Sequence, residues 1–236
     1  MAIINPIKSP YVNPFGNFVL PGKCASWLNM EERSDKLIDK SGNGNHGTNG
    51  GATIKTVNAG LARNFDGIDD FIQIADSAAT RLTTGGTLAA WIYPKSLGEF
   101  NDGRIIDKSA DVVATNGYKF AMATSNNLYF RINSGANTAS AVNSITLNQW
   151  QHVTVIFGST GRHLYVNGID VTASGGSETA LPPDVAKIVA IGNRAGVTDR
   201  TFDGYIDDTM IFTRALSQSE IKYIFKMTAW QYGIAA

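Results

Sequence analysis

From Gln151 to Phe157 the side chains alternate: Gln151, Val153, Val155 and Phe157 share one side, and His152, Thr154 and Ile156 the other. A period of two is that of a β-strand. Gly158-Ser159-Thr160-Gly161 reverses the chain, which returns through Leu164 and Val166 to Asn167-Gly168. Asn-Gly supplies the two positive-φ positions of a type I′ hairpin, so a third antiparallel strand follows in fixed register. A meander rich in aromatic and β-branched residues belongs in a sandwich or barrel, not in a βαβ protein.

The same pattern extends along the chain. Cys24–Met30 reads as a first strand, and Phe71, Ile72 and Ile74 enter another after Asp66-Gly67, a hairpin turn signal. Thr87–Pro94 is a strongly apolar strand ended by its proline. Weaker strands fall at Arg104–Lys108, Gly117–Ala123 and Asn127–Asn133, with further ones at Ile188–Gly192 and within Phe202–Phe212. One helix is predicted, because Ser217-Gln218-Ser219-Glu220 is a capping box ahead of Ile221, Tyr223, Ile224 and Phe225. Residues 1–22, rich in Pro and Asn, read as an extended arm outside a domain at 23–226. Residues 227–236 form an apolar tail without charge.

Composition narrows the class. Hydrophobic residues are 43% of the 236 and charged ones 17%, enough for one large β-domain with a core. Twenty basic residues balance twenty acidic ones, which argues against a nucleic-acid binder. Cys24 is alone, so no internal disulfide exists, and beside Trp27 and Leu28 it reads as a small buried hydrophobe. No stretch approaches the roughly 20 apolar residues of a membrane span. Met1–Phe18, broken by Pro6, Pro10 and Pro14, lacks a signal-peptide core.

Leu37–Thr48 carries too many Gly and Asn residues to be a helix or strand interior. It is either a tight surface loop or a cation loop, since carbonyls, Asn amides and the Asp39 carboxylate are the hard oxygen donors Ca²⁺ prefers.

Six motifs in order over residues 24–225 resemble a known family. They are Asp39-x-Ser-Gly-Asn-Gly-Asn-His-Gly47, Phe65-Asp66-Gly67-Ile68-Asp69-Asp70-Phe71, Leu88–Pro94, Trp150-Gln151-His152-Val153 with Leu164–Gly168, Phe202–Asp208, and Arg214–Ser217. Together they are similar to the laminin-G-like, concanavalin A-like lectin/glucanase jelly rolls. The resemblance implies an all-β, two-sheet antiparallel sandwich, each sheet of about six or seven strands, with one short C-terminal helix. It also implies a structural calcium on the rim, held by the Asp39 carboxylate, by Asn43, Asn45 and His46 of the loop with main-chain carbonyls included, and by Asp207. Asp208 is the alternative to Asp207, because strand alternation is expected to send the two carboxylates to opposite faces.

Glycosidases need two carboxylates at hydrolytic distance, usually at alternating positions of one strand. No Glu-x-Asp-x-Glu run exists, Glu31-Glu32 and the Asp pairs 69–70 and 207–208 are adjacent, and His152 reads as a hydrogen-bonded sheet residue. A catalytic role is therefore rejected. Two binding classes remain. A secreted or surface carbohydrate-binding module would stack sugars on aromatics such as Tyr118, Tyr129 and Phe130, residues that also suit a core. A structural protein would instead place the jelly roll on a large assembly, with a phage virion surface or decoration protein as the concrete expectation. The ends of the chain favour the second class, on the virion surface or outside the cell. Ile3, Ile4, Ile7, Tyr11 and Phe15 of the proline-stiffened arm, with Trp230 and Tyr232 of the tail, are expected to bind a capsid or other virion protein. A glycan ligand and a homo-oligomer are compatible with this reading; a nucleic-acid partner is not.

Overall fold

The computed structural model describes residues 18–109, 116–196 and 198–235. Two antiparallel sheets face each other. The first runs in the order Ile169–Asp170, Gly161–Val166, Gln151–Gly158, Gly86–Pro94, Asp203–Phe212, Gly60–Asp66 and Thr53–Val57, with Cys24–Leu28 also paired to Asp203–Phe212. The second runs Thr172–Ser174, Thr138–Ser140, Asn127–Ile132, Tyr118–Ala123, Arg104–Asp107, Val189–Ile191, Phe71–Ile74, Gly47–Gly50 and Lys36–Leu37. The sheets hold eight and nine strands, more than the family pattern implied, because short strands of two or three residues at their edges extend each one.

The central meander is as its pattern predicts. Val153, Val155 and Phe157 point into the core between the sheets, where Leu88, Ala90 and Ile92 meet Phe120, Met122, Leu128, Phe130 and Ile132 of the opposite sheet. The hairpin pairs Val166 with Ile169 across Asn167 (φ 51°) and Gly168 (φ 76°), the signature of a type I′ turn. Asp66-Gly67, by contrast, does not make a hairpin. Gly60–Asp66 lies in the first sheet and Phe71–Ile74 in the second, so residues 66–70 arch between layers. Side chains rather than ladder bonds shape the arch: Asp70 Oδ2 accepts from the Asp66 amide at 2.9 Å, and Asp66 Oδ1 from Ile68 at 2.8 Å.

The outer surfaces differ. The helix Gln218–Thr228 lies on the outside of the first sheet, setting Leu216, Ile221 and Ile224 on Ala89, Tyr165, Met210 and Phe212. Its predicted capping box is present, with the Ser217 amide donating to Glu220 Oε2 at 2.9 Å and the Glu220 amide to Ser217 Oγ at 3.3 Å. The chain then tightens into a 3₁₀ turn, Ala229–Tyr232, so the expected tail continues the domain. At the other end, Phe18 packs on Trp27 (5.5 Å between centroids) and Tyr223 (5.9 Å), which brings residues 18–22 of the expected arm onto the domain. We call the helix-bearing layer the covered sheet and the other the open sheet.

Candidate functional site

Alternation on two neighbouring strands of the open sheet sends Tyr118, Phe120, Leu128, Phe130 and Ile132 inward. Lys119, Asn127, Tyr129 and Arg131 go outward, where they line a groove of about 440 Å³. Asn101, Asp102, Thr124, Ser125 and Asn137 complete its walls. Of the three aromatics considered as sugar platforms, Tyr118 and Phe130 are therefore core and only Tyr129 faces the groove.

A fixed polar network underlies it. Arg104, buried on its strand, donates through Nη1 to Asp102 Oδ1 (2.7 Å) and to the Tyr129 hydroxyl, and that hydroxyl donates to Asp102 Oδ1. Arg104 Nε also stands 3.1 Å from Asp107 Oδ2, while Asp107 Oδ1 accepts from Ser109 and from the Ala195 amide. Asp102 Oδ2 takes Arg200 Nε at 3.2 Å. The Arg200 guanidinium in turn covers the ring of Phe100, which is 71% exposed and held at φ 53° on the turn that carries Asn101 and Asp102. A bulky side chain in left-handed backbone is strained, and such strain persists where the surroundings fix the turn. Burial, opposed in part by the Arg104 charge, pushes the Tyr129 hydroxyl above its ordinary range, so it stays protonated as a donor.

The residues expected to hold calcium form two clusters instead of one shell. In the loop, Asp39 Oδ1 accepts from the amides of Trp27 and Ser41, and Oδ2 from Ser41 Oγ and the Asn45 amide, all at 2.9 Å. Four donors use the roughly four lone-pair positions of a carboxylate, leaving none for a cation. Asn43 and Asn45 donate to the carbonyls of Cys24 and Ala25 at 2.7 Å, and His46 Nδ1 accepts from the Asp39 amide at 3.0 Å. The loop as folded is a clasp on the first strand, and these residues do not fit the metal.

Asp207 and Asp208 lie in the second cluster. The expectation that they diverge fails because a bulge interrupts the register between Asp207 and Met210, with Asp208 at φ 43°. An extra residue cancels the alternation, and both carboxylates reach the Tyr232 hydroxyl, at 2.8 and 3.3 Å. Asp208 also accepts from Trp27 Nε1 at 2.7 Å. Burial and the neighbouring carboxylate push Asp207 well above the ordinary range, and burial pushes Asp208 up to about 6. Tyr232, expected to face a partner, stacks on Trp91 at 4.1 Å and is 8% exposed. Trp230 is half-buried and donates to the Met227 carbonyl at 3.0 Å. Ile3, Ile4, Ile7, Tyr11 and Phe15 lie outside the described residues.

His152 also departs from expectation. Its ring is buried against Trp91 (5.4 Å) and Phe225 (6.5 Å), and neither nitrogen has a hydrogen-bond partner among the described residues. Burial pushes it down to about 3, leaving it a neutral ring in an apolar layer.

Sequence reasoning did not single out Asn101, Asp102, Lys119, Asn127, Arg131 or Asn137. The signal existed: the period-two pattern of Tyr118–Met122 and Asn127–Ile132 puts Lys119, Tyr129 and Arg131 on one face. Only the pairing register, Arg131 opposite Lys119, shows that they are neighbours.

Among solved structures, the binding domain of Paraclostridial mosquitocidal protein 1 matches at TM-score 0.65 and 19% identity, covering 86% of this chain and 52% of that one. Domain 4 of an extracellular arabinanase from Geobacillus stearothermophilus, solved with arabinotriose, matches at 0.66 and 18%, covering 85% and 97%. Trypanosoma rangeli sialidase, solved with sialic acid, matches at 0.69 and 14%, covering 96% and 36%. The chain thus spans about half of the first and a third of the last. At these identities the likeness establishes the fold. No curated protein matches the sequence. A laminin-G family model, described as concanavalin A-like lectin/glucanases superfamily, matches residues 66–222, and the chain belongs to that family.

Proposed function

We propose that the chain is a non-catalytic saccharide-binding module and that the open-sheet groove is its site. The observation that carries this reading is the groove itself: Asn101, Asp102, Asn127 and Asn137 gathered around the edge of Tyr129, a ring 8% exposed and held by Arg104 and Asp102 before any ligand arrives. Short polar side chains around the edge of an aromatic ring suit a ligand that presents hydroxyl groups to hydrogen-bond. The arabinanase domain solved with arabinotriose and the sialidase solved with sialic acid share this fold, which supports the reading. The wider setting, a module displayed on a virion or another large assembly through residues 1–17, is the part of the proposal that the arm sequence motivates.

An array of neutral and acidic oligosaccharides, followed by calorimetry, tests the function. Asn127→Ala and Asn137→Ala are each expected to weaken binding about fivefold to tenfold, the worth of one hydrogen bond. Full affinity in both variants, or no binding by the parent, refutes the groove.

A further inference from the structure

We infer that the groove is built for an anionic saccharide, whose carboxylate or sulfate ester sits between Lys119 and Arg131. This rests on the saccharide reading and goes beyond it by naming the ligand class.

The first of the two cations is Lys119. Its side chain is 8% exposed, lines the groove, and holds its ammonium 5.8 Å from the centre of the Tyr129 ring. It has no hydrogen bond or ion pair among the described residues. Buried lysines are normally paired, because desolvating an ammonium is costly. Directly across the ladder stands Arg131, a second cation. Like charges in opposed positions destabilise a sheet. Arg131 Nη2 donates to the Ser134 carbonyl at 2.9 Å, a neutral partner, and has no ion pair among the described residues.

The nearby acids are already committed. Asp102 is held by Arg104, Arg200 and the Tyr129 hydroxyl, and Asp107 by Arg104, Ser109 and the Ala195 amide. The groups facing the Lys119 ammonium are thus Arg104 and Arg131, which repel it, and Asp102 and Asp107, which are spent on arginines. Burial first, and the Arg104 charge second, push Lys119 down to about 8. An anion placed beside both cations restores the lost solvation and removes the repulsion, while the saccharide ring lies over the groove's aromatic and amide groups.

Calorimetry with the full chain tests this on matched ligands: a galacturonate trisaccharide against its methyl ester, and a sulfated galactan trisaccharide against its desulfated parent. The charged member of at least one pair is expected to bind tenfold or more tightly than its neutral partner, and which pair shows the gap identifies the anion. The gap is expected to close in Lys119→Met and to narrow in Arg131→Gln. In the parent it is expected to shrink as the pH rises above about 8. Circular dichroism checks that both variants fold; Lys119→Met keeps the apolar stem and sheds a desolvated charge, so it is expected to melt no lower than the parent. Equal affinity for charged and neutral members, or a gap that survives Lys119→Met, overturns the inference and leaves the saccharide reading standing. Binding of neither member of either pair removes both.

Discussion

The two outer faces of the sandwich solve one problem in opposite ways. Each carries polar and charged side chains on strands whose other face is core. On the covered sheet, the helix and the 3₁₀ turn lie over them: Asp207 and Asp208 share the Tyr232 hydroxyl, Trp91 Nε1 donates to Thr228 Oγ1 at 2.8 Å, and His152 is sealed in neutral form. Among the described residues, no such element lies over the groove on the open sheet. Asp102, Arg104 and Tyr129 are locked together, yet Lys119 and Arg131 make no ion pair among the described residues. One face closes its polar groups with the protein's own chain. The other leaves two cations without an ion pair among the described residues, and the proposed saccharide site rests on that asymmetry.

The comparison breaks first at Trp91. Its ring is wholly buried among His152, Phe225 and Tyr232 and anchors the terminal turn through Thr228. Trp91→Ala is expected to cost about 3–5 kcal/mol, the range for deleting a buried aromatic. Phe100→Ala, on the open side, removes an exposed ring and is expected to change stability by less than about 0.5 kcal/mol. Urea denaturation of the two variants measures the contrast. A cost below about 1 kcal/mol for Trp91→Ala means that the cap is not part of the folded unit.

The covered face also marks where the sequence was legible. Strand positions, the Asn167-Gly168 turn and the Ser217 capping box are local, written in period and turn chemistry, and all are present. The same holds for the sandwich class. What the sequence concealed depends on distant partners. The Asp66-Gly67 dipeptide is compatible with a hairpin or an arch, and only the core decides which sheet Phe71 joins. The bulge at Asp208 lies where the strand's neighbour on one side changes from Gly60–Asp66 to Cys24–Leu28, while Gly86–Pro94 stays paired on the other, and no local pattern marks that change. Exposed edge strands such as Thr53–Val57 bury almost nothing and so carry no apolar pattern. The groove was half legible: alternation assigns Lys119, Tyr129 and Arg131 to a face, but not to one site.

A smaller effect is expected at the carboxylate pair. Asp208 has a folded value of about 6 against an ordinary 3.8, so the folded state holds its proton more tightly than the unfolded chain does. Its contribution to stability is then fully present below the ordinary value and is lost as the pH rises from about 4 through about 6. Asp208→Asn removes that loss. Asn keeps an acceptor for Trp27 Nε1 and tolerates φ 43° at least as well as Asp. The variant is expected to melt above the parent at pH 8 and to match it near pH 4. A variant that melts below the parent at pH 8 shows that the ionised pair is stabilised by something beyond Tyr232, Trp27 and the Gln231 amide, which donates to Asp208 Oδ2 at 3.5 Å.

The smallest expected effect is that of calcium, and it bears on the same pair. A cation held by the folded state alone would raise stability by about 2.7 kcal/mol at a hundredfold excess over its dissociation constant. It would also hold nearby carboxylates ionised and erase the acid-side gain expected for Asp208. The geometry points the other way: Asp39 already accepts four donors, and Asp207 and Asp208 lie in a separate cluster beneath Tyr232. Melting curves with chelator and with excess Ca²⁺ are therefore expected to coincide, and the parent's stability is expected to keep its fall between pH 4 and pH 6 in both. A calcium-dependent rise that Asp39→Ala abolishes would mean the clasp opens to bind metal. A rise that Asp208→Asn abolishes would place the ion under the cap and make the covered face a ligand site as well.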